Sequence, residues 1–289
     1  MFRQALRRHD WAVHVDTATD RVLRRYRHAV TEGEYPAPTQ IGHETTLNFE
    51  FVKTRFLRRD ARLSLVLRDV AGAELDPASE DRALGIYEKH FAGVRGVLLL
   101  VDSTTHPSMQ WRQVEFLESV INKLKEIVFG RRQKQVESIA GFGGRSVLLP
   151  TSDYMYLAIC LTKCDTFPET WRNPPVQLRA LATPSKLKQI IGPDAYLVLQ
   201  DFSKTPGTKM RLFACSAVGY IRDGSGEYLR KNGLCASQHT AGGLADPQRV
   251  FPESIEIPFL WLLENVWRDL YGGIDAQLVR ALDGLGAEF

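Results

Sequence analysis

Three short segments hold the residue types from which a nucleotide site can be built, and each follows an apolar run. Asp69-Val70-Ala71-Gly72 comes after Leu63–Leu67, Thr162-Lys163-Cys164-Asp165 after Tyr156–Leu161, and Cys215-Ser216-Ala217 after Met210–Ala214. A carboxylate at a strand end, here Asp69, can hold Mg²⁺ through water, and a glycine three residues on, Gly72, lets a backbone N–H approach a γ-phosphate. The Asp165 carboxylate can accept two hydrogen bonds from the N1–H and N2–H₂ edge of guanine, while the stem of Lys163 lies over the purine ring. Adenine presents no such donor pair, so this spacing selects the base. The backbone of Cys215-Ser216-Ala217 can contact guanine O6. Taken singly, each segment also reads as an ordinary strand-ending turn.

The elements that must position these loops alternate along the chain. Leu47–Val52 reads as an edge-side strand, followed by strands at Leu63–Leu67, Gly96–Val101, Tyr156–Leu161 and Met210–Ala214. Gly96–Val101 is nearly all aliphatic and is expected to be buried on both faces. Helices are expected over Glu80–Val94, Trp111–Val128, Pro184–Ile191 and Pro258–Leu270, the last with proline at its first helical position. This alternation predicts an α/β fold, a mostly parallel sheet flanked by helices, with ligands at the carboxyl ends of the strands. Residues 1–289 read as one domain with insertions near 130–153 and 224–252.

Composition narrows the classes. The chain has 289 residues, 44% hydrophobic and 25% charged, with Lys+Arg 37 against Asp+Glu 34. That excludes disordered, collagenous and coiled-coil chains. No apolar run approaches the roughly 20 residues of a membrane span. Met1–Arg8 is charged from the outset, which argues against a signal peptide, and four scattered cysteines make no disulfide framework; a cytoplasmic protein is expected. The seven histidines show no zinc spacing. Seven arginines and no lysine fall in the first 30 residues, a solvated basic helix face with nucleic acid or an acidic membrane as the other reading. The near-neutral charge makes nucleic acid an unforced choice. Trp261 and Trp267 are expected in the core, Cys164 is expected to be inert, and Ser216 lacks the setting of a hydrolase nucleophile.

In chain order, D-x-x-G, an aliphatic strand ending in Asp102, T-K-x-D and C-S-A resemble the P-loop GTPase superfamily, over about Thr45 to Leu270. The insertions and the Trp/Leu-rich last helix look most like GTPase-like domains of bacterial double-GTPase and multi-gene systems. The resemblance implies GTP or GDP with Mg²⁺, and GTP hydrolysis as the parent chemistry. It implies Asp69 for Mg²⁺, Gly72 for the γ-phosphate, and Thr45 or Thr46 (Thr46 favoured) as the switch threonine reaching both. Thr162, Lys163 and Asp165 would read guanine, supported by Ser216 and Ala217.

Two departures stand out. Ala73 occupies the position of the water-orienting glutamine, so hydrolysis leans on Glu74, another residue or an activating protein. No G-x-x-x-x-G-K-[ST] occurs, and the glycine-rich stretches at Gly141–Arg145, Pro206–Lys209 and Gly224–Glu227 read as turns. Met1–His9 looks like part of the helix that follows a phosphate loop, so the first strand and that loop are expected to be missing together. The chain therefore reads as a guanine-nucleotide switch protein of impaired activity, either N-terminally shortened or a natural pseudo-GTPase. The alternative is a non-catalytic interaction module for a protein partner encoded nearby. An ATPase of the same fold is a third reading.

Overall fold

The computed structural model describes residues 11–32, 44–53, 61–70, 94–104, 115, 117–130, 154–240, 243–271 and 287–288. In chain order its main elements are β1 (Trp11–Val15), α1 (Thr17–Thr31), β2 (Glu44–Lys53), β3 (Ala61–Val70) and β4 (Gly96–Asp102). There follow α2 (residues 117–130), β5 (Met155–Thr162), α3 (Pro174–Leu181), α4 (Pro184–Ile191), α5 (Pro193–Ser203) and β6 (Thr208–Ala214). Four two-residue strands come next: β7 (Arg230–Lys231), β8 (Leu234–Cys235), β9 (His239–Thr240) and β10 (Gly243–Leu244). Helix α6 (Glu256–Tyr271) and β11 (Ala287–Glu288) complete the described chain.

The strands form an α/β arrangement around a three-stranded parallel sheet, β4-β5-β6, with β11 added antiparallel to β6. Strand β5 lies between β4 and β6, and its period of two divides its side chains between two cores. Met155, Leu157, Ile159 and Leu161 join α2, α3, α4 and α5 on one face. Tyr156, Ala158 and Cys160 join α6 on the other. Strand β6 divides in the same way, with Met210, Leu212 and Ala214 to the first side and Phe213 and Cys215 to the second. A strand buried on both faces needs the near-continuous apolar run that the sequence carries here.

A second sheet, β1-β2-β3, is antiparallel throughout. Leu47–Val52 is therefore not an edge strand. Its strand is the middle one, because β1, which the sequence pattern did not reveal, pairs along its outer side. Gly96–Val101 departs from expectation in the opposite sense. Leu99 and Val101 are buried, but Leu100 is 63% exposed. Among the described residues β4 pairs only with β5; on the face of Leu100 it is covered in part, with Leu98 packed against the second core and Gly96 against Leu262 and Val266 of the last helix. The last helix starts at Glu256, which makes Pro258 its third residue. Proline is tolerated there because the first-turn N–H groups have no intrahelical acceptor to lose. Helix α4 spans the expected Pro184–Ile191, and the buried Leu117, Val120, Ile121, Leu124 and Val128 bear out the periodicity of the helix around them. Helices α3 and α5 went unread. Met1–His9, the expected helix over 80–93 and the insertion over 131–153 lie outside the described residues.

The second core reaches from the parallel sheet to the antiparallel one through α6, where Leu260, Trp261, Leu263 and Trp267 meet Trp11, Phe51 and Leu63. At its heart Glu264 Oε1 accepts from Lys53 Nζ at 2.6 Å and from Trp11 Nε1 at 2.7 Å. The ammonium also stands 4.4 Å from the Trp267 ring centroid and 5.2 Å from that of Trp11. A buried charge is tolerable only when paired in this way. Removing one partner strands the other, whereas replacing both with apolar side chains restores a dry contact. Glu264→Ala is expected to cost about 3–5 kcal/mol by urea denaturation, and Lys53→Met with Glu264→Leu to recover most of that. A single-variant cost below ~1 kcal/mol would show that the pair holds nothing together.

Candidate functional site

The carboxyl ends of β4, β5 and β6 meet, and the loops that follow them are tied together by backbone and hydroxyl groups. Thr162 Oγ1 donates to the Val101 carbonyl at 3.1 Å, fastening the end of β5 to β4. Lys163 then takes a left-handed conformation, φ 56, which turns the chain out of the sheet. A non-glycine residue there costs on the order of 1–2 kcal/mol, a strain that persists only where the surroundings impose it. A 3₁₀ turn over Cys164–Thr166 follows, held by Thr166 N–H to the Lys163 carbonyl at 3.1 Å. The Trp171 indole N–H closes on the Asp165 carbonyl at 2.9 Å, and Cys164 N–H reaches the Cys215 carbonyl at 3.2 Å.

That geometry delivers Asp165 into the interior at 0% exposure. Its Oδ1 accepts from Ser216 Oγ at 2.6 Å, joining the second and third chemistry-bearing segments across 51 residues. Ser216 Oγ accepts in turn from Gly219 N–H at 2.7 Å, so its proton is committed to Asp165. Ser216 also bridges to Glu253 through both backbone groups, at 3.0 and 2.9 Å. Oδ2 of Asp165 accepts from Ser237 Oγ, a residue of the 224–252 stretch that no motif singled out. Ala217 is exposed beside this knot.

Lys163 points the other way, toward β4. Its Nζ donates to Asp102 Oδ2 at 2.7 Å, while Asp102 Oδ1 accepts from Thr104 N–H and Oγ1 at 2.9 and 2.7 Å. Partial burial pushes the Asp102 carboxyl up, but the bonds from Lys163 and Thr104 outweigh it and hold the group below the ordinary carboxylate range. Asp102 is thus ionised at neutral pH, and its contribution to stability is lost only as pH falls through that lowered value. With both side chains substantially exposed, the pair fixes direction more than it adds stability.

The remaining predicted residues fall in two groups. The antiparallel register sets Thr45 opposite Asp69 and Thr46 opposite Arg68, so the threonines sit inside β2 rather than in a loop before it, and Thr45 is the cross-strand partner of Asp69. Gly72, Ala73 and Glu74 lie outside the described residues. No group of three or more His, Cys, Asp or Glu gathers as a metal site among the described residues. Gly224–Glu227 is a turn, with Asp223 Oδ1 accepting from the N–H groups of Ser225 and Glu227. Gly207, φ 84, turns the chain into β6. No described helix is long and apolar enough to cross a membrane.

Sequence reasoning missed Ser237, which stands 72 residues from Asp165 in an undistinguished polar stretch. Gly219 was also missed, though a glycine three residues after Ser216 is a readable turn signal. Its φ is +75, and a Cβ there would lie 1.8 Å from the Phe251 carbonyl oxygen. Gly219→Ala is expected to lower stability by at least ~1–3 kcal/mol from the backbone strain alone, measured by thermal unfolding. An unchanged melting temperature would contradict the packing described.

All four cysteines are buried. Cys160 Sγ lies 3.1 Å from Cys215 Sγ, and that contact together with burial raises the Cys160 thiol well above its ordinary value. Burial pushes the Cys164 thiol up to about 12. Neutral thiols shielded from solvent are poor nucleophiles. An aromatic disulfide reagent at neutral pH is expected to titrate none of the four in the native protein and all four after denaturation; rapid native labelling of Cys164 would overturn this reading of the turn. No protein-family model, curated protein or solved structure matches this chain.

Proposed function

We propose that the chain is a guanine-nucleotide-binding switch protein of the P-loop GTPase type, with GTP hydrolysis as the parent chemistry and a much reduced capacity to hold phosphate. One observation carries the reading: Asp165 of T-K-x-D and Ser216 of C-S-A, far apart in sequence, are joined by a 2.6 Å hydrogen bond at the carboxyl end of a parallel sheet. Open α/β sheets bind ligands at that end. A carboxylate there is the acceptor pair that the guanine edge requires, and Lys163 stands next to it on the solvent side. In this reading Thr162, Ser216 and Ala217 support the base. Asp69 takes Mg²⁺ together with Thr46 or its neighbour Thr45, the latter being the cross-strand partner of Asp69; Gly72 takes the γ-phosphate, and Glu74 takes the water.

Two features temper the chemistry. The sequence holds no G-x-x-x-x-G-K-[ST], whose backbone donors, lysine and hydroxyl supply most of the grip on phosphate and Mg²⁺. The glutamine position is Ala73. The second reading, a pseudo-GTPase module that engages a protein partner, draws on these features and on the complete burial of Asp165.

Ligand-observed NMR separates the two. Guanosine is expected to bind detectably and in preference to adenosine, and Asp165→Ala to abolish that preference while the protein stays folded. Mg-GTP is expected to bind more weakly than micromolar. Equal response to both nucleosides, with partner capture unaffected by Asp165→Ala, would leave the scaffold reading in place; preference for adenosine would favour an ATPase of the same fold.

A further inference from the structure

Resting on the guanine reading above, we propose that the insertion following β6 is a built-in cover for the base site, with Ser237 occupying the place of the base-edge donor. The carboxylate of Asp165 receives one hydroxyl on each oxygen, from Ser216 and from Ser237. These two donors differ in kind. Ser216 belongs to the loop that directly follows β6 and is held by Gly219 and by its bridge to Glu253. Ser237 arrives from the far side of the insertion, and its own oxygen accepts the His239 N–H at 2.9 Å, which commits its proton to Asp165. A base edge needs both oxygens of the carboxylate from one side. Asp165 is fully buried, and Ser237 holds one of those two oxygens.

The cover is attached by backbone and side-chain bonds. Gln238 N–H donates to the Gly219 carbonyl at 3.0 Å, and Ile221 N–H to the Ala236 carbonyl at 2.9 Å. The Gln238 side chain, wholly buried, spans the Arg249 carbonyl and the Asp246 N–H, both at 2.8 Å. At the outer end the β7–β8 hairpin turns through Asn232 and Gly233, both with positive φ, and touches the segment after Asp165 through Arg230 Nη1 to the Arg172 carbonyl at 2.8 Å. Arg230, Lys231, Asn232, Gly233 and Leu234 all face solvent. Nucleotide and cover then compete for one carboxylate, and anything that draws the hairpin away strengthens base binding by the same factor.

The test compares guanosine and adenosine binding to the wild-type chain, Ser237→Ala and Ser237→Thr by ligand-observed NMR, with hydrogen exchange followed on the wild-type chain. Losing a competing hydroxyl bond to a charged acceptor is worth about tenfold or more in affinity. Ser237→Ala is therefore expected to bind guanosine about tenfold more tightly, adenosine no better, and Ser237→Thr to match the wild type. Saturating guanosine is expected to accelerate exchange at the Ile221 and His239 amides of the wild-type chain, a readout that needs no variant to fold. Guanosine binding that is equal in wild type and Ser237→Ala, or that protects those amides, overturns the cover and leaves the guanine reading standing. No preference for guanosine in any of the three proteins overturns both.

Discussion

Glu264 is a carboxylate with almost no access to water, and the joining of the two sheets turns on how it is satisfied. Lys53 from β2 and Trp11 from β1 both bond to one of its oxygens, and the indole of Trp267 lies against the same ammonium. These contacts fix the antiparallel sheet to α6. The opposite commitment of α6 is made by Tyr156 and Phe213, whose rings meet Trp261 at centroid distances of 5.8 and 5.9 Å. A charge pair specifies position more sharply than grease alone, since any slip along the helix leaves an ion unpaired in a dry place. Helix α6 thereby sets where β2 and β3 lie relative to the parallel strands. With them it sets where Thr45 and Asp69 lie relative to the loops that follow β5 and β6.

The candidate site follows the same logic on a smaller scale. Its turns are closed by hydrogen bonds from backbone and side chains, and two hydroxyls, of Ser216 and Ser237, converge on the buried Asp165. A left-handed Lys163, a glycine at 219 with no room for a side chain and two hydroxyls on one carboxylate leave Asp165 with no exposed surface. The lysine of the same motif remains in solvent, paired with Asp102 at the neighbouring strand end. One tetrapeptide thus presents one residue to the surroundings and hides the other.

Much of this was legible in the residues themselves. Strands β5 and β6 announce themselves by continuous apolar runs, α2 by the 3.6-residue spacing of Leu117, Val120, Ile121 and Leu124, and the motif positions by following those strands. Other features escaped because their cause is not local. Trp11–Val15 reads as a strand only once β2 is there to pair with it. Gly96–Val101 has the composition of a strand buried on both faces, yet Leu100 stands exposed, because burial is set by the elements that pack on the strand and not by its own residues. The helices α3 and α5 begin with Pro174 and Pro193, residues that equally well mark loops. Ser237 lies in a polar stretch like many others, and only the fold brings it to Asp165.

The distance in sequence between Lys53 and Glu264 has a consequence for how the molecule is made. The two are 211 residues apart, and Trp11 is 253 residues from the same carboxylate. At roughly 5–20 residues per second, a growing chain spends about 10–40 s between synthesis of the ammonium and synthesis of the carboxylate that neutralises it. Through that interval the β1-β2-β3 sheet has no lid, and its apolar face around Phe51 and Leu63 is open to whatever else is nearby. Completion of the antiparallel half is therefore a late event in biogenesis, governed by emergence of α6 rather than by the local strength of its own hairpins.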